Sequence, residues 1–256
     1  MAEAWVGTSG WSYRHWLGRF YPETVVGVEQ LPFYAERFRT VEINYSYYQL
    51  PARNVFEGWR RRSPGGFVFA VKASRYLTHM KKLNQPEEPL QRLLHNASGL
   101  GEKLGPVLFQ FPRSWDVDLP RLEAFFDALH AHAGPRYAFE FRHTSWLVPE
   151  VYELLRRENA ALCLPIGWGV PLDVQVTADW TYIRFHGGQH GIGFSDDELQ
   201  LWAERIAGYC RDGIDSYAYF NNDQLENDVP QAPGNAQRLL EMLSQFSGTF
   251  KDRPIG

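Results

Sequence analysis

The sequence predicts an α/β fold: a parallel (β/α)8 barrel, one domain spanning residues 1–256. Three observations predict it. Short apolar runs alternate with stretches of helical period in eight units, one of them irregular, over 256 residues. No linker or low-complexity tract interrupts the alternation, and no strong internal repeat is present. The turn after the first strand reads GTSGWSY. It lacks the G-x-G-x-x-G fingerprint that would favour the chief rival, an open doubly wound sheet.

The elements follow in order. Trp5 to Thr8 reads as the first strand, followed by a loop rich in Gly, Trp and Tyr. A helix from about Glu29 carries Leu31, Tyr34, Ala35 and Phe38 at i, i+3, i+4, i+7. The second strand is Thr40 to Tyr45, and a helix from Arg53 to Arg62 stops before Pro64. The third strand is Phe67 to Ala73, with a long basic loop, SRYLTHMKKLNQPEEP, after it. A helix from about Pro89 carries Leu90, Leu93, Leu94 and Ala97, and Gly105-Pro106 is expected to close it. The fourth strand is Val107 to Phe111. Asp118 is placed to cap a helix striped by Leu122, Phe125, Phe126 and Leu129.

Tyr137 to Phe141 is the fifth strand, and Pro149 starts the next helix. The sixth strand, Ala160 to Pro165, leads into a loop to Asp179 with one short helix at most. Trp180 to Phe185 is the seventh strand. Ser195 to Glu198 forms a capping box for a helix with Leu199, Trp202, Ile206 and Tyr209. The eighth strand, Ser216 to Phe220, precedes a last helix with Leu239, Met242, Leu243 and Phe246.

Composition narrows the function classes. The chain is 44% hydrophobic and 22% charged, an ordinary globular balance. With 26 basic and 30 acidic residues it carries −4, so no general basic field exists to hold nucleic acid. Cys163 and Cys210 are the only cysteines and form no C-x-x-C, which argues against a zinc ribbon, an iron–sulfur cluster or a disulfide framework. The start, MAEAWVGTSGW, has no basic segment followed by an apolar run, and no apolar stretch reaches the roughly 18–20 residues of a membrane helix. The expectation is a cytoplasmic protein that does not enter a membrane.

Chemistry enters at the strand ends. In RYAFEFRHTSW (136–146), side chains alternate, so Ala138, Glu140 and Arg142 share one face and Tyr137, Phe139 and Phe141 the other. A Glu and an Arg in an aromatic strand need partners or a cavity to offset desolvation. The same pattern recurs with Glu42 and Asn44, Lys72 and Ser74, Gln110, Arg184 and His186, then Asn221 to Asp223. All fall at carboxyl ends of strands, where barrels carry their sites.

Each residue also has a structural explanation. Glu140 with Arg142 could be a bridge that only closes the barrel, Lys72 could neutralise Glu42, and His186 could be a satisfied core histidine. The coincidence of level favours a site. Glu42, Glu140, His186 and Lys72 are the candidate catalytic groups. Arg142 and Arg184, with Asn44, Gln110, Asn221, Asp223, Trp11 and Trp146, are candidates for binding substrate.

The leading expectation is an enzyme acting on a small anionic, sugar-like compound, phosphorylated or carboxylated, by Glu/His acid–base chemistry. Two rivals stay open: a metal-dependent phosphoesterase or nuclease-like barrel gripping nucleic acid with Arg75, His79, Lys81 and Lys82, and a ligand-binding module without turnover. Lys72 could form a Schiff base only if burial or a neighbouring cation lowered its pKa. No cofactor is favoured. A divalent metal is the one left open, although no H-x-H or H-E-x-x-H spacing is present. The sequence carries no signal for oligomeric state.

At these residues the chain resembles the YecE-like family, also called domain of unknown function 72. GTSGWSY, VEINYSYYQLP, FAVKAS, LGPVLFQFP, AFEFRHTSW, TYIRFHG and YAYFNND occur in the family's order, from about Val6 to Leu243. The resemblance implies a TIM-type barrel and supplies no activity, so it assigns no catalytic role to any of these residues.

Overall fold

The computed structural model describes residues 2–132, 134–167 and 169–246. Met1 and residues 247–256 of the expected domain lie outside the described residues. Eight parallel strands carry the fold: β1 Ala4–Thr8, β2 Thr40–Ile43, β3 Val68–Lys72, β4 Leu104–Gln110, β5 Tyr137–Glu140, β6 Ala161–Ile166, β7 Trp180–Phe185 and β8 Asp215–Phe220. They run in sequential order, with β1 paired to β8. The β1–β2 seam closes through the bridge of Ser9 against Glu42, where Gly10 N donates to the Glu42 carbonyl at 2.8 Å. Gly7 permits this approach, because a Cβ there would sit 2.2 Å from the Thr40 carbonyl oxygen. The architecture is the predicted (β/α)8 barrel.

The helices outside are α1 Gln30–Ala35, α2 Tyr45–Tyr48, α3 Arg53–Arg62, α4 Glu87–Ala97, α5 Leu119–His130, α6 Pro149–Arg157, α7 Asp196–Arg211 and α8 Gln231–Ser244. Their starts follow local chemistry. Asp118 accepts from Arg121 N at the head of α5, and Ser195 with Glu198 forms the full capping box of α7. Pro149 opens α6, where its missing N–H costs nothing. The longer helices turn an apolar stripe inward: Leu122, Phe125, Phe126 and Leu129 of α5 are all buried.

The barrel interior divides large from small. Trp180, Tyr182, Tyr217 and Tyr219 project from β7 and β8, and Ala70, Ala138, Ala161 and Cys163 belong to the same inner cluster from β3, β5 and β6. Aromatics on two strands thus fill a lumen that small residues on three others leave open. Phe109, Phe111, Phe139 and Phe141 belong instead to the outer core between strands and helices.

Two expected boundaries move. Gly105-Pro106 does not close α4, which ends at Ala97; both residues lie inside β4. The β3–β4 register shifts there, from Phe69 opposite Leu104 to Val71 opposite Val107. That bulge accommodates a residue with no N–H to donate. Second, β2 stops at Ile43, because Asn44 turns into the helical region (φ −86, ψ −22) and starts the single turn of α2. The chain after β6 runs to β7 as the expected loop, with no helix among the described residues. After β8 a small hairpin, β9 Leu225–Glu226 with β10 Val229–Pro230, precedes α8.

Candidate functional site

One side chain ties the carboxyl ends of the strands together. Arg184 projects from β7 into the barrel and has no solvent exposure. Its Nη2 donates to Glu42 Oε1 at 2.8 Å and its Nη1 to Glu140 Oε2 at 2.7 Å. The guanidinium thereby bridges β2 and β5 across the lumen, and only its Nε lacks a partner among the described residues. The fork geometry of arginine suits two carboxylates on different strands.

Both carboxylates are further satisfied. Glu42 accepts from Ser9 Oγ and, at 2.7 Å, from the Tyr182 hydroxyl. Glu140 accepts from Gln110 Nε2 at 2.9 Å, lies 3.9 Å from Cys163 Sγ, and touches Arg142 Nε. Burial alone would raise both pKa values. For Glu140 the charges of Arg184 and Arg142 outweigh it and hold the carboxyl well below the usual range. Arg184 and Lys72 do the same for Glu42, to a lesser degree. Both therefore stay ionised at neutral pH. The same fields work in reverse on their neighbours: burial, then Glu140, pushes the Cys163 thiol well up, and burial, then Glu42, does so for Tyr182.

Above this network sits a second tier. Arg142 Nη2 lies 3.1 Å from His186 Nε2, and the Asn221 amide lies 3.1 Å from His186 Nδ1. Arginine has no acceptor, so Nε2 accepts from Arg142, and the atom facing Nδ1 is Asn221 Nδ2. Burial draws the His186 pKa down to about 4, against an opposing pull from Glu140. His186 is thus neutral near pH 7 and fixes the orientation of Arg142. Arg142 itself is only partly buried, and its Nη1 has no protein partner among the described residues.

Lys72, at the end of β3, is 6% exposed and differs from the other cations. Its Nζ lies 3.3 Å from Asn44 Oδ1 and 4.2 Å from the centre of the Tyr47 ring. Among the described residues no carboxylate comes within ion-pair distance of it. Burial lowers its pKa to about 7, helped by the Arg184 charge, while Glu42 and Glu140 pull the other way. A single π-helical turn, Tyr76–Met80, follows β3 and carries His79. The His79 ring packs edge-on to Tyr47 with centroids 5.2 Å apart, and its Nδ1 meets Thr78 Oγ1 at 2.9 Å. Burial, then Lys72 and Arg75, lowers its pKa to about 4.

The structure therefore gathers Glu42, Asn44, Lys72, Gln110, Glu140, Arg142, Arg184, His186 and Asn221 at one rim. It seats Arg184 beneath the mouth, with both Nη atoms engaged, where an incoming anion would have to displace a carboxylate. Trp146 is not at the mouth. It is fully buried in the outer core, stacked on Phe141 with its Nε1 donating to the Trp115 carbonyl at 2.7 Å. The reason is register: it packs with Phe111 and Phe141, the outward face of the alternation. Trp11 borders a neighbouring cleft of about 530 Å³ with Tyr13, Tyr48, Trp59 and Asn44. Asp223 lies toward the first loop, its carbonyl contacting His15 Nε2, and burial raises its carboxyl pKa.

Two participants escaped sequence reasoning as members of the site. Tyr182 shares the i, i+2 alternation with Arg184, so its position was readable although its carboxylate partner was not. Cys163 carried no signal, because its nearness to Glu140 depends on the β5–β6 register. Among the described residues no three His, Cys, Asp or Glu side chains converge as a metal-ligand set, and no helix is long and apolar enough to cross a membrane.

Comparison with known proteins agrees with the fold. UPF0759 protein YunF of Bacillus subtilis (strain 168) is 26% identical, over 95% of this chain and 96% of its own length. A crystal structure of a DUF72 family protein from Thermotoga maritima MSB8 is 30% identical, with a TM-score of 0.81 over 94% of this chain and 99% of that one. A DUF72 family protein from Enterococcus faecalis V583, at 19% identity and TM-score 0.76 over 94% and 95%, shares the fold. The family model described as Protein of unknown function DUF72 matches residues 5–254, and the chain belongs to that family.

Proposed function

We propose that this barrel is an enzyme acting on a small anionic substrate held at the carboxyl rim. The observation that carries the reading is the division of labour among the cations. Arg184 has both Nη atoms taken up by Glu42 and Glu140, whereas Arg142 meets Glu140 through Nε alone and, among the described residues, its Nη1 has no hydrogen-bond partner and Lys72 has no carboxylate partner. Arg142, held in place by His186 and Asn221, suits a phosphate or carboxylate oxygen. Glu42 and Glu140, ionised and fully hydrogen-bonded, act as fixed charges and not as proton carriers. The group that changes protonation near neutrality is instead Lys72, whose pKa of about 7 leaves a free amine lone pair for chemistry on the substrate. The cleft beside Asn44, with Trp11 and Tyr48, can stack against a sugar-like or planar portion.

The nucleic-acid reading has weaker support, since Lys82 of the basic loop donates to the Ser114 carbonyl at 3.0 Å. The test is binding of inorganic phosphate and simple carboxylates, followed by thermal shift and calorimetry. Wild-type protein should bind at least one of them, and Arg142→Ala should weaken that binding by about ten-fold or more, as loss of a charge-assisted contact does. Unaltered binding in the variant would remove Arg142 from the role.

A further inference from the structure

Resting on the reading above, we propose that Lys72 is an amine nucleophile that forms an imine with an aldehyde or ketone substrate carrying an anionic group. The placement supports this. Nζ stands at the carboxyl end of β3, in the tier where ligands enter barrels, and is nine-tenths buried. Its neighbours are an amide oxygen and an aromatic face, neither of which takes a proton from it or binds it covalently. The charged and titratable groups around it are Arg184, Glu42, Glu140, Arg142 and His79. Four of these, Arg184, Arg142 and the two carboxylates, are already engaged with one another, so the local field is not dominated by anions. Desolvation beside other cations is the condition under which a lysine stays neutral at working pH.

The step balances without further reagents. The Nζ lone pair attacks the carbonyl carbon, the C=O pair moves to oxygen, and one Nζ proton passes to that oxygen, giving a neutral carbinolamine. Loss of the hydroxyl as water, with one proton supplied, leaves a protonated C=N. His79, half-buried against the Tyr47 ring that Lys72 also faces and with no partner at Nε2 among the described residues, would relay these protons. Arg142 would hold the substrate's carboxylate or phosphate while the carbonyl meets Lys72.

The experiment uses glyoxylate and acetaldehyde as probes on the whole protein, with borohydride to reduce any C=N to a secondary amine, and peptide mass spectrometry to locate it. The expected result is reduction-dependent labelling of Lys72, about ten-fold or more above Lys81 and Lys82 at pH 7, as a lowered pKa requires. Labelling should rise through pH 7 and vanish in folded Lys72→Arg. Arg142→Ala should abolish glyoxylate's advantage over acetaldehyde. Label confined to Lys81 and Lys82, with inorganic phosphate still binding the wild type, would overturn the amine role and leave the anion site standing. Failure of both labelling and phosphate binding would overturn the two together. Because the site of labelling is read on the wild type, a variant that does not fold does not blunt the test.

Discussion

Arg184 and Lys72 are two buried cations of one barrel, set in opposite circumstances. Arg184, on β7, meets two carboxylates and donates to each at under 3 Å. Lys72, on β3, meets an amide oxygen and a ring. Burial penalises both charges, but only for Arg184 do Glu42 and Glu140 outweigh it, and its pKa lies well above the ordinary value. For Lys72 burial prevails. The difference teaches that the same desolvation makes one cation a permanent strut and leaves the other reactive, the outcome depending on who holds the carboxylates.

The strongest way to break this comparison is to remove the strut. Arg184→Met keeps much of the volume but strands Glu42 and Glu140 in the interior. Stability measured by denaturant unfolding at pH 7 should fall by roughly 3–5 kcal/mol. A loss below about 1 kcal/mol would mean that the carboxylates are solvated and the network is not buried as described.

A smaller effect of opposite sign is expected at the other cation. Lys72 has a folded pKa of about 7 against an ordinary 10.5, so between these values the unfolded chain binds the extra proton. Its contribution to stability is therefore fully present above pH 10.5 and is lost as pH falls toward 7. Lys72→Met should be more stable than wild type at pH 6, by about 1–3 kcal/mol, and should lack the rise of stability with pH across that window. A variant that is destabilised at pH 6 would show Lys72 to be a paired, structural lysine.

The sequence was a good guide to what alternates and a poor one to what crosses the barrel. Ala138, Glu140 and Arg142 on one face, and Tyr182, Arg184 and His186 on another, follow from a period of two, and the rim could be read from it. The capping residues Asp118 and Ser195 were legible for the same reason: their partners lie three residues away. Arg184 reaching Glu42 and Glu140, 142 and 44 positions distant, was not. Pairing across a lumen depends on closure and tilt, which no local pattern encodes. Trp146 shows the converse limit. Sequence placed it near the rim in chain order, but a short turn after β5 sends it to the outer face, against Phe141.

Asn44→Asp sharpens the contrast further by giving Lys72 the kind of partner Arg184 already has. A carboxylate at 3.3 Å should raise the Lys72 pKa by about 1–3 units and slow imine trapping at pH 7. The measurement that decides the matter is an NMR titration of the Lys72 Nζ group in lysine-labelled wild-type protein, assigned with Lys72→Arg. The account predicts a midpoint near 7. A midpoint near 10.4, that of an ordinary solvated lysine, would contradict it.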